Sequence, residues 1–332
     1  MTEPLESRPI VAITRSDLYG DPAGRLAAVA TVRSRPSHLP PTVDELAALA
    51  DGAVAILGLA GDPVGEPLLA RLPDLRLVAL ASAGYDSVDV AAAARHGVMI
   101  ANAPGVLSEA VADTTFGLIL AARRRIAEAD RYVRAGRWHE SSLTLMVGLD
   151  VHGTTLGLVG YGAIGRAVAR RAAGFGMTVL FSDPVSPEEG QARSVSLDEL
   201  LQLSDIVSVH LPLTPATRGL IGEAQLRSMK PTATLVNTSR GGVIDEAALI
   251  RALGEGWIGS AGLDVQQREP NPDPDHPLLA FPNCVVLPHI GSASTSARVA
   301  MTVRAIENIE AVLAGRPPVT PVPELARGKG SA

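Results

Sequence analysis

Apolar residues gather in short runs along the first third of the chain, with stretches of helical spacing between them. The runs "PIVAITR" (9–15), "AVAILGL" (53–59), "LRLVALAS" (75–82) and "GVMIAN" (97–102) read as buried strands. Between them, "TVDELAALAD" and "DVAAAARHG" place their apolar positions at helical spacing. Strand, helix, strand is the beat of a parallel α/β sheet. After "NAPG", the segment "LSEAVADTTFGLILAARRRIAEADRYVRAGRW" contains no proline and carries Ser108 as an N-cap, so the pattern predicts one long helical segment there. The beat then resumes. "TTLGLVG", "MTVLFSD", "DIVSVHL", "ATLVNTS", "SAGLDV" and "CVVLPHI" predict six further strands, a number that suits a doubly wound dinucleotide fold. "SARVAMTVRAIENIEAVLAG" reads as a last amphipathic helix, and the proline-rich "RPPVTPVPEL" after it as unstructured tail.

This rhythm predicts two Rossmann-like or flavodoxin-like α/β domains, each a doubly wound parallel sheet, with an active-site cleft between them. Residues 1–104 with 292–332 are expected to form one domain, and residues 105–291 to form the other, inserted in it. A chain of 332 residues is natural for two such lobes. Charge narrows the class of partner. The net charge of −6 offers no basic field to a polyanion, and the arginine run Arg123–Arg125 is followed by Glu128 and Asp130, so nucleic acid is not an expected partner. Cys284 is the single cysteine, which excludes an internal disulfide and any C-x-x-C metal or redox motif; no metal is expected, and a reducing compartment fits. "MTEPLESRPIVAI" lacks the basic flank and apolar run of a signal peptide, and no segment reaches the ~20 apolar residues of a membrane span. A soluble, cytoplasmic protein without a membrane partner is the expectation.

Candidate chemistry begins at "GLVGYGAIGRAV", where Gly160, Gly162 and Gly165 stand in G-x-G-x-x-G spacing. So short a pattern says little alone in a chain with 32 glycines, and its setting decides. A predicted strand ends at Gly160, a predicted helix carries Gly165 in its first turn, and the next strand ends in Asp183, 18 positions beyond. The helix N-terminus offers unpaired N–H groups to a pyrophosphate, and a carboxylate at that distance suits a ribose diol. Residues 105–291 are therefore expected to bind a dinucleotide, leaving substrate to the discontinuous domain.

Three polar residues follow predicted strands, where ligands of such sheets bind. They are Arg240 in "RGGVID", Glu269 in "GLDVQQREPNP" and His289 in "CVVLPHIGSAS". Singly, Arg240 reads as well as a surface arginine, Glu269 as a loop carboxylate and His289 as a structural histidine. Together they have a chemistry. A guanidinium binds a carboxylate through two parallel hydrogen bonds, an imidazole donates the proton that carbonyl reduction needs, and a carboxylate orients that imidazole. Spacing leaves open whether Glu269 and His289 touch.

The motifs "SAGYDSVD", "NAPGVLSEAVADTTF", "GYGAIG", "NTSRGGVIDEAALIRAL", "GLDVQQREP" and "LPHIGSAS" resemble, in order and spacing over about residues 75–310, those of the D-isomer-specific 2-hydroxyacid dehydrogenases. Within that family the segment after "NAPG" and "EGWIGSAGLDV" are most similar to glyoxylate and hydroxypyruvate reductases. The resemblance implies hydride transfer between a nicotinamide cofactor and a small 2-keto or D-2-hydroxy acid. It implies Arg240 as the substrate-binding arginine, His289 as proton donor and Glu269 as its partner, with the backbone N–H groups of Ala83 and Gly84 on the substrate carboxylate. On the cofactor side it implies Thr114 near the nicotinamide, Gly160, Tyr161, Gly162, Ala163, Ile164 and Gly165 along the phosphate loop, and Asp183 at the ribose. His210, Leu211, Pro212 and Thr217 fall beside the adenosine half and Thr238 and Asp264 around the nicotinamide ring, while Ser239, Arg240, His289 and Gly291 complete the cofactor set.

Departures from relatives bound the substrate. Ala83 stands where phosphite-oxidising relatives place a lysine, and Glu269 is the partner that formate-oxidising relatives commonly lack, so neither phosphite nor formate is expected. A short phosphoglycerate dehydrogenase is one alternative, and an NAD-sensing, corepressor-like interaction protein of the same family is another. Asp183 is followed by Pro184 instead of an arginine, which predicts NAD(H) in preference to NADP(H). The helical segment after Ser108 and "AGRWHESS" resemble the family's dimerising elements, so a homodimer is expected. Leu57, Gly58, Tyr85 and Trp138 are candidates for the side-chain pocket.

Overall fold

Each apolar run of the N-terminal third closes into a strand, and the strands lie side by side in parallel. In the computed structural model, which describes residues 8–185 and 192–326, the chain divides into two units, Met1–Leu107 with Ser294–Ala332, and Ser108–Ala293. The first unit holds β1 (Ile10–Ile13), β2 (Thr31–Ser34), β3 (Ala53–Gly58), β4 (Leu77–Leu80) and β5 (Met99–Ala101) in the order β2-β1-β3-β4-β5, all parallel. This is the flavodoxin-like order, whose direction of winding reverses between β1 and β3. The edge strand β2, exposed or half-buried throughout, has no apolar run to announce it and is absent from the sequence-based expectation.

The second unit holds β6 (Thr155–Val159), β7 (Thr178–Ser182), β8 (Arg193–Ser194), β9 (Ile206–Val209), β10 (Thr234–Asn237), β11 (Ser260–Leu263) and β12 (Cys284–Val286). Their order is β12-β11-β10-β9-β6-β7-β8, again all parallel. It is the dinucleotide-binding order with one strand added, and winding reverses between β6 and β9. The glycine loop leaves β6 at that reversal. The six predicted strands all form; β8, two exposed residues at the edge, has no signal in the sequence. Both units are the doubly wound type of parallel sheet that the rhythm predicts.

Two expectations are corrected. The long helical segment after Ser108 is broken: Ser108–Arg123 packs a buried face, Arg125 takes φ +53°, and Ile126–Arg134 continues with no buried residue. A left-handed arginine is uncommon, and neither glycine nor proline marks the break. Here the Arg125 guanidinium folds onto Glu128 through bonds of 2.7 and 2.8 Å. Nor is the tail unstructured. Pro321 bridges Ala101, Val322 is fully buried and donates its N–H to the carbonyl of Ile100 at 3.0 Å, and Pro323–Ala326 is helical. Prolines stiffen an extended segment as readily as they disrupt a helix. Among the described residues, no helix is long and apolar enough to cross a membrane.

Candidate active site

The turn after β10 is stitched by the last residue of the strand. Asn237 accepts the N–H (2.9 Å) and hydroxyl (2.8 Å) of Ser239 on Oδ1, and its Nδ2 donates to the Arg240 carbonyl at 2.9 Å. Arg240 leaves this turn with its Nη1 donating to the Ser239 carbonyl at 2.8 Å. The next residue must be glycine, because a Cβ on Gly241 would overlap the carbonyl of Gln266. The chain after β11 therefore runs directly against the Arg240 turn. This close approach brings Glu269 near Arg240, and no sequence spacing announces it.

Glu269 touches His289. Its Oε2 lies 2.6 Å from His289 Nδ1, and its Oε1 accepts the N–H of Gln266 at 2.7 Å. Burial works to raise the Glu269 pKa, but the hydrogen bond and charge of His289, the Gln266 N–H and the charge of Arg240 together hold it below the usual carboxylate value. Facing an ionised carboxylate, Nδ1 is the donor, so Nε2 is the ring nitrogen that Glu269 leaves for another partner.

His289 itself has φ +55°, in the left-handed region that a histidine seldom adopts. Asp264 holds it there. The N–H of His289 donates to the Asp264 carbonyl at 2.9 Å, and the Asp264 carboxylate accepts Ile290 N–H at 2.8 Å and Gly291 N–H at 2.7 Å. A Cβ on Gly291 would sit 2.8 Å from Oδ2, which gives that glycine its reason. Burial pushes the Asp264 pKa up against the pull of those N–H groups. Thr114 reaches the same turn, its hydroxyl 3.3 Å from the Gly291 carbonyl, and the Thr238 hydroxyl lies buried 3.0 Å from that of Thr115. Behind the Glu269 loop, Glu246 accepts the Gln267 N–H at 3.2 Å and meets His276 Nε2 at 3.2 Å. Sequence reasoning misses Asn237, Gln266, Glu246 and His276. Asn237 alone carries a signal, as a polar end to a buried apolar strand.

The glycine loop divides its labour. Gly160 has φ +96° and would place a Cβ 2.7 Å from the His210 carbonyl, and a Cβ on Gly165 would overlap the carbonyl of Gly160. Those two allow packing. Gly162 is the N-cap of the helix Ala163–Ala172, makes no side-chain cap and has nothing within 4 Å of its Cβ position. A pyrophosphate fits that bare place, where the first-turn N–H groups that include Ala163 and Ile164 converge. Tyr161 turns inward, its ring 4.1 Å from Phe181, and its N–H donates to Asp183 Oδ2 at 2.8 Å. The other Asp183 oxygen accepts Val185 N–H at 2.9 Å. A carboxylate has about four acceptor sites, so Asp183 can brace the loop and still receive a ribose hydroxyl. Arg193, which could have turned toward the ribose edge, bonds Glu199 at 3.2 Å.

On the far side of the loop, Leu211 packs over Gly160 and His210 Nε2 lies 2.9 Å from the Ser208 hydroxyl. Burial pushes the His210 pKa down to about 4, so its ring is neutral at pH 7. Thr217 donates to the Pro212 carbonyl at 2.6 Å, closing the next turn. Ala83 and Gly84 belong to the other unit, in the loop after β4. Among the described residues, no backbone acceptor is bonded to either N–H. Of the pocket candidates, Leu57 is fully buried in β3, a Cβ on Gly58 would meet Asp62 at 2.5 Å, the Tyr85 hydroxyl lies 3.1 Å from Glu324, and Trp138 is exposed.

Residues 116–291 match the family model of the D-isomer specific 2-hydroxyacid dehydrogenase NAD binding domain. The glyoxylate reductase of Korarchaeum cryptofilum is 49% identical over 269 residues, 80% of this chain and 81% of the relative. The crystal structure of the TT0316 protein from Thermus thermophilus superposes with a TM-score of 0.89 at 42% identity, over 94% of this chain and 99% of that one. An NADPH-dependent glyoxylate/hydroxypyruvate reductase from Sinorhizobium meliloti, solved with NADP and malonate, gives a TM-score of 0.85 at 33% identity, over 96% and 98%.

Proposed function

The chain belongs to the D-isomer specific 2-hydroxyacid dehydrogenase family, and on that premise we propose that it reduces small 2-keto acids of the glyoxylate and hydroxypyruvate type. The product is the 2-hydroxy acid, of D configuration where it is chiral. The observation that carries this reading is the 2.6 Å contact between His289 Nδ1 and Glu269, within reach of the charge of Arg240, beyond the carboxyl ends of β10, β11 and β12. A nicotinamide dinucleotide bound on the glycine loop supplies the hydride that the carbonyl carbon accepts.

This chain's own residues do the rest. The helix N-terminus at Gly162 receives the pyrophosphate, and Asp183 receives the ribose diol. Arg240 pairs with the substrate carboxylate and polarises the ketone. The discontinuous unit binds substrate through the open N–H groups of Ala83 and Gly84, and the unit Ser108–Ala293 binds cofactor. His289 Nε2 gives its proton to the carbonyl oxygen, and Glu269 on Nδ1 fixes the orientation of the ring that donates it. In the reverse direction His289 takes that proton back.

NADH is the preferred cofactor in this reading. A carboxylate at Asp183 repels a 2′-phosphate and Pro184 offers nothing to pair with one, in contrast to the NADPH dependence named for the Sinorhizobium meliloti protein. The enzyme acts as a cytoplasmic homodimer. Loss of NADH absorbance on adding glyoxylate or hydroxypyruvate tests the activity, and NADPH in its place tests the preference. A chain that turns over neither acid with either cofactor is not this enzyme.

A further inference from the structure

The loop that carries Ala83 and Gly84 is held by its carbonyls. The Ser82 carbonyl accepts the N–H of Ala103 at 2.8 Å, the Ala83 carbonyl accepts Asn102 Nδ2 at 2.6 Å, and the Gly84 carbonyl accepts the Ser82 hydroxyl at 2.9 Å. In a planar trans peptide the C=O and the following N–H point in opposite directions. Fixing the Ser82 carbonyl therefore aims the Ala83 N–H away from Ala103. Fixing the Ala83 carbonyl likewise aims the Gly84 N–H away from Asn102. Neighbours 102 and 103 thus orient both open donors from behind.

Asn102 is in turn held by the tail. Its N–H donates to the Thr320 carbonyl at 3.2 Å, and its carbonyl accepts the Thr320 hydroxyl at 2.6 Å. Thr320 is anchored to the last long helix through Asn308, which is fully buried: Thr320 N–H donates to Asn308 Oδ1 at 2.8 Å, and Asn308 Nδ2 lies 3.0 Å from the Thr320 hydroxyl. Two residues on, Val322 is sealed into the core, and Glu324 accepts the hydroxyl of Tyr85, the residue after Gly84, at 3.1 Å. Burial first, and then the neighbouring Glu324 charge, raise the Tyr85 pKa, which keeps that hydroxyl a donor.

We propose that Asn102 and Thr320 are positioning residues for the substrate carboxylate. Asn102 fixes the peptide whose N–H, on Gly84, faces the carboxylate, and Thr320 in the C-terminal segment holds Asn102 in place. The inference rests on the reading of Ala83 and Gly84 as carboxylate donors. Its signature is loss of recognition for the carboxylate alone, since no part of the relay bears on the hydride or the proton.

The test compares glyoxylate with glycolaldehyde, which has the same two carbons and a hydroxymethyl group in place of the carboxylate. Wild-type protein is expected to favour glyoxylate strongly. Asn102→Ala should lower kcat/KM for glyoxylate about tenfold, the effect of losing a hydrogen bond that serves a charged group, with the loss in KM. Glycolaldehyde turnover and the KM for NADH should stay unchanged. Thr320→Val should move the same way by several-fold, and Thr320→Ser, which keeps the hydroxyl, should restore the wild-type ratio. Thr320→Val and Thr320→Ser carry the test if Asn102→Ala does not fold. A wild type that reduces both aldehydes equally overturns the carboxylate reading and this inference with it. A discriminating wild type whose Asn102→Ala and Thr320→Val variants keep its ratio, or lose both substrates together, overturns the inference alone.

Discussion

His289 is a strained residue in a fixed turn, and its surroundings divide the work of holding it. Glu269 takes Nδ1 and Asp264 takes three N–H groups of the turn, His289, Ile290 and Gly291. Removing the imidazole with His289→Ala should lower kcat by about 10² to 10⁴-fold, the range for losing a general acid, while NADH binding measured by fluorescence titration persists. Retained turnover would take the proton from another group. Asp264→Asn poses a different question, because an amide offers one oxygen to two N–H donors and sets its own NH₂ against the second. The His289 turn should loosen and kcat fall about tenfold. The pH dependence has a definite sign. Burial raises the Asp264 pKa, so its contribution to stability is full below the unfolded carboxylate pKa and is lost as pH rises through the folded value. The stability gap between wild type and Asp264→Asn, read from urea midpoints, should narrow as pH rises from acid to neutral. His210 behaves oppositely: its pKa is lowered to about 4, so its contribution is present above the unfolded value of about 6.5 and is lost as pH falls toward the folded one. His210→Gln should flatten that acid slope, and an unchanged slope would mean that the ring gains its proton without unfolding. At this scale the side-chain pattern makes the proposed reacting groups conspicuous and conceals their supports. Arg240, Glu269 and His289 are conspicuous as polar residues after apolar strands. Gln266, Asp264 and Asn237 act through backbone hydrogen bonds that depend on how the loops fold, so side-chain pattern alone did not reveal these roles.

The strand β6, the glycine loop and the helix Ala163–Ala172 form one element in which the three glycines have separable duties. A side chain at Gly165 meets the backbone of Gly160, whereas one at Gly162 meets nothing. Gly165→Ala should therefore destabilise the fold by about 1–3 kcal/mol, the usual cost of overpacking. Gly162→Val should leave the melting temperature nearly unchanged and raise the KM for NADH tenfold or more, because the methyl groups occupy the place of the pyrophosphate. Calorimetry and steady-state kinetics on the pair decide the matter: a Gly162→Val enzyme with normal KM would move the dinucleotide elsewhere. The end of β7 adds a constraint to cofactor choice. Asp183 braces Tyr161 and Val185 through their N–H groups, so Asp183→Ser with Pro184→Arg should shift preference toward NADPH at some expense of loop stability. Elements with an apolar run were legible in advance. Those without one, β2 and β8, and the break at Arg125, were not, since exposed edges and left-handed turns leave no hydrophobic period.

Across the whole chain, the two sheets account for the apolar runs, but the segment after Arg125 has apolar residues that neither sheet uses. Ile126 is 53% exposed, Val133 52%, Trp138 59% and Val147 63%, and Leu143 is wholly exposed. Nine residues of helix, Ile126–Arg134, bury nothing, although a helix that short is marginal in water without packing along one face. The tail taught the contrary lesson, because a segment poor in periodic signal proved anchored by Val322 and Thr320. In the proposed homodimer a second copy of the chain would supply what the Arg125 segment lacks. Facing copies related by a two-fold axis would each cover the other's Trp138 and Val133 with the same surface, and the abundant arginines and acids of the segment would form the polar rim. Light scattering at micromolar concentration should give twice the 34.4 kDa chain mass. Replacing Val133 and Trp138 together by aspartate should return the chain mass, since two charges would then be buried without partners. The isolated helix would lose its cover at the same time, so the far-ultraviolet helical signal of that variant should fall slightly. A wild-type protein that runs at 34.4 kDa with full activity would leave the exposed segment without a partner and remove the dimer from the proposed function.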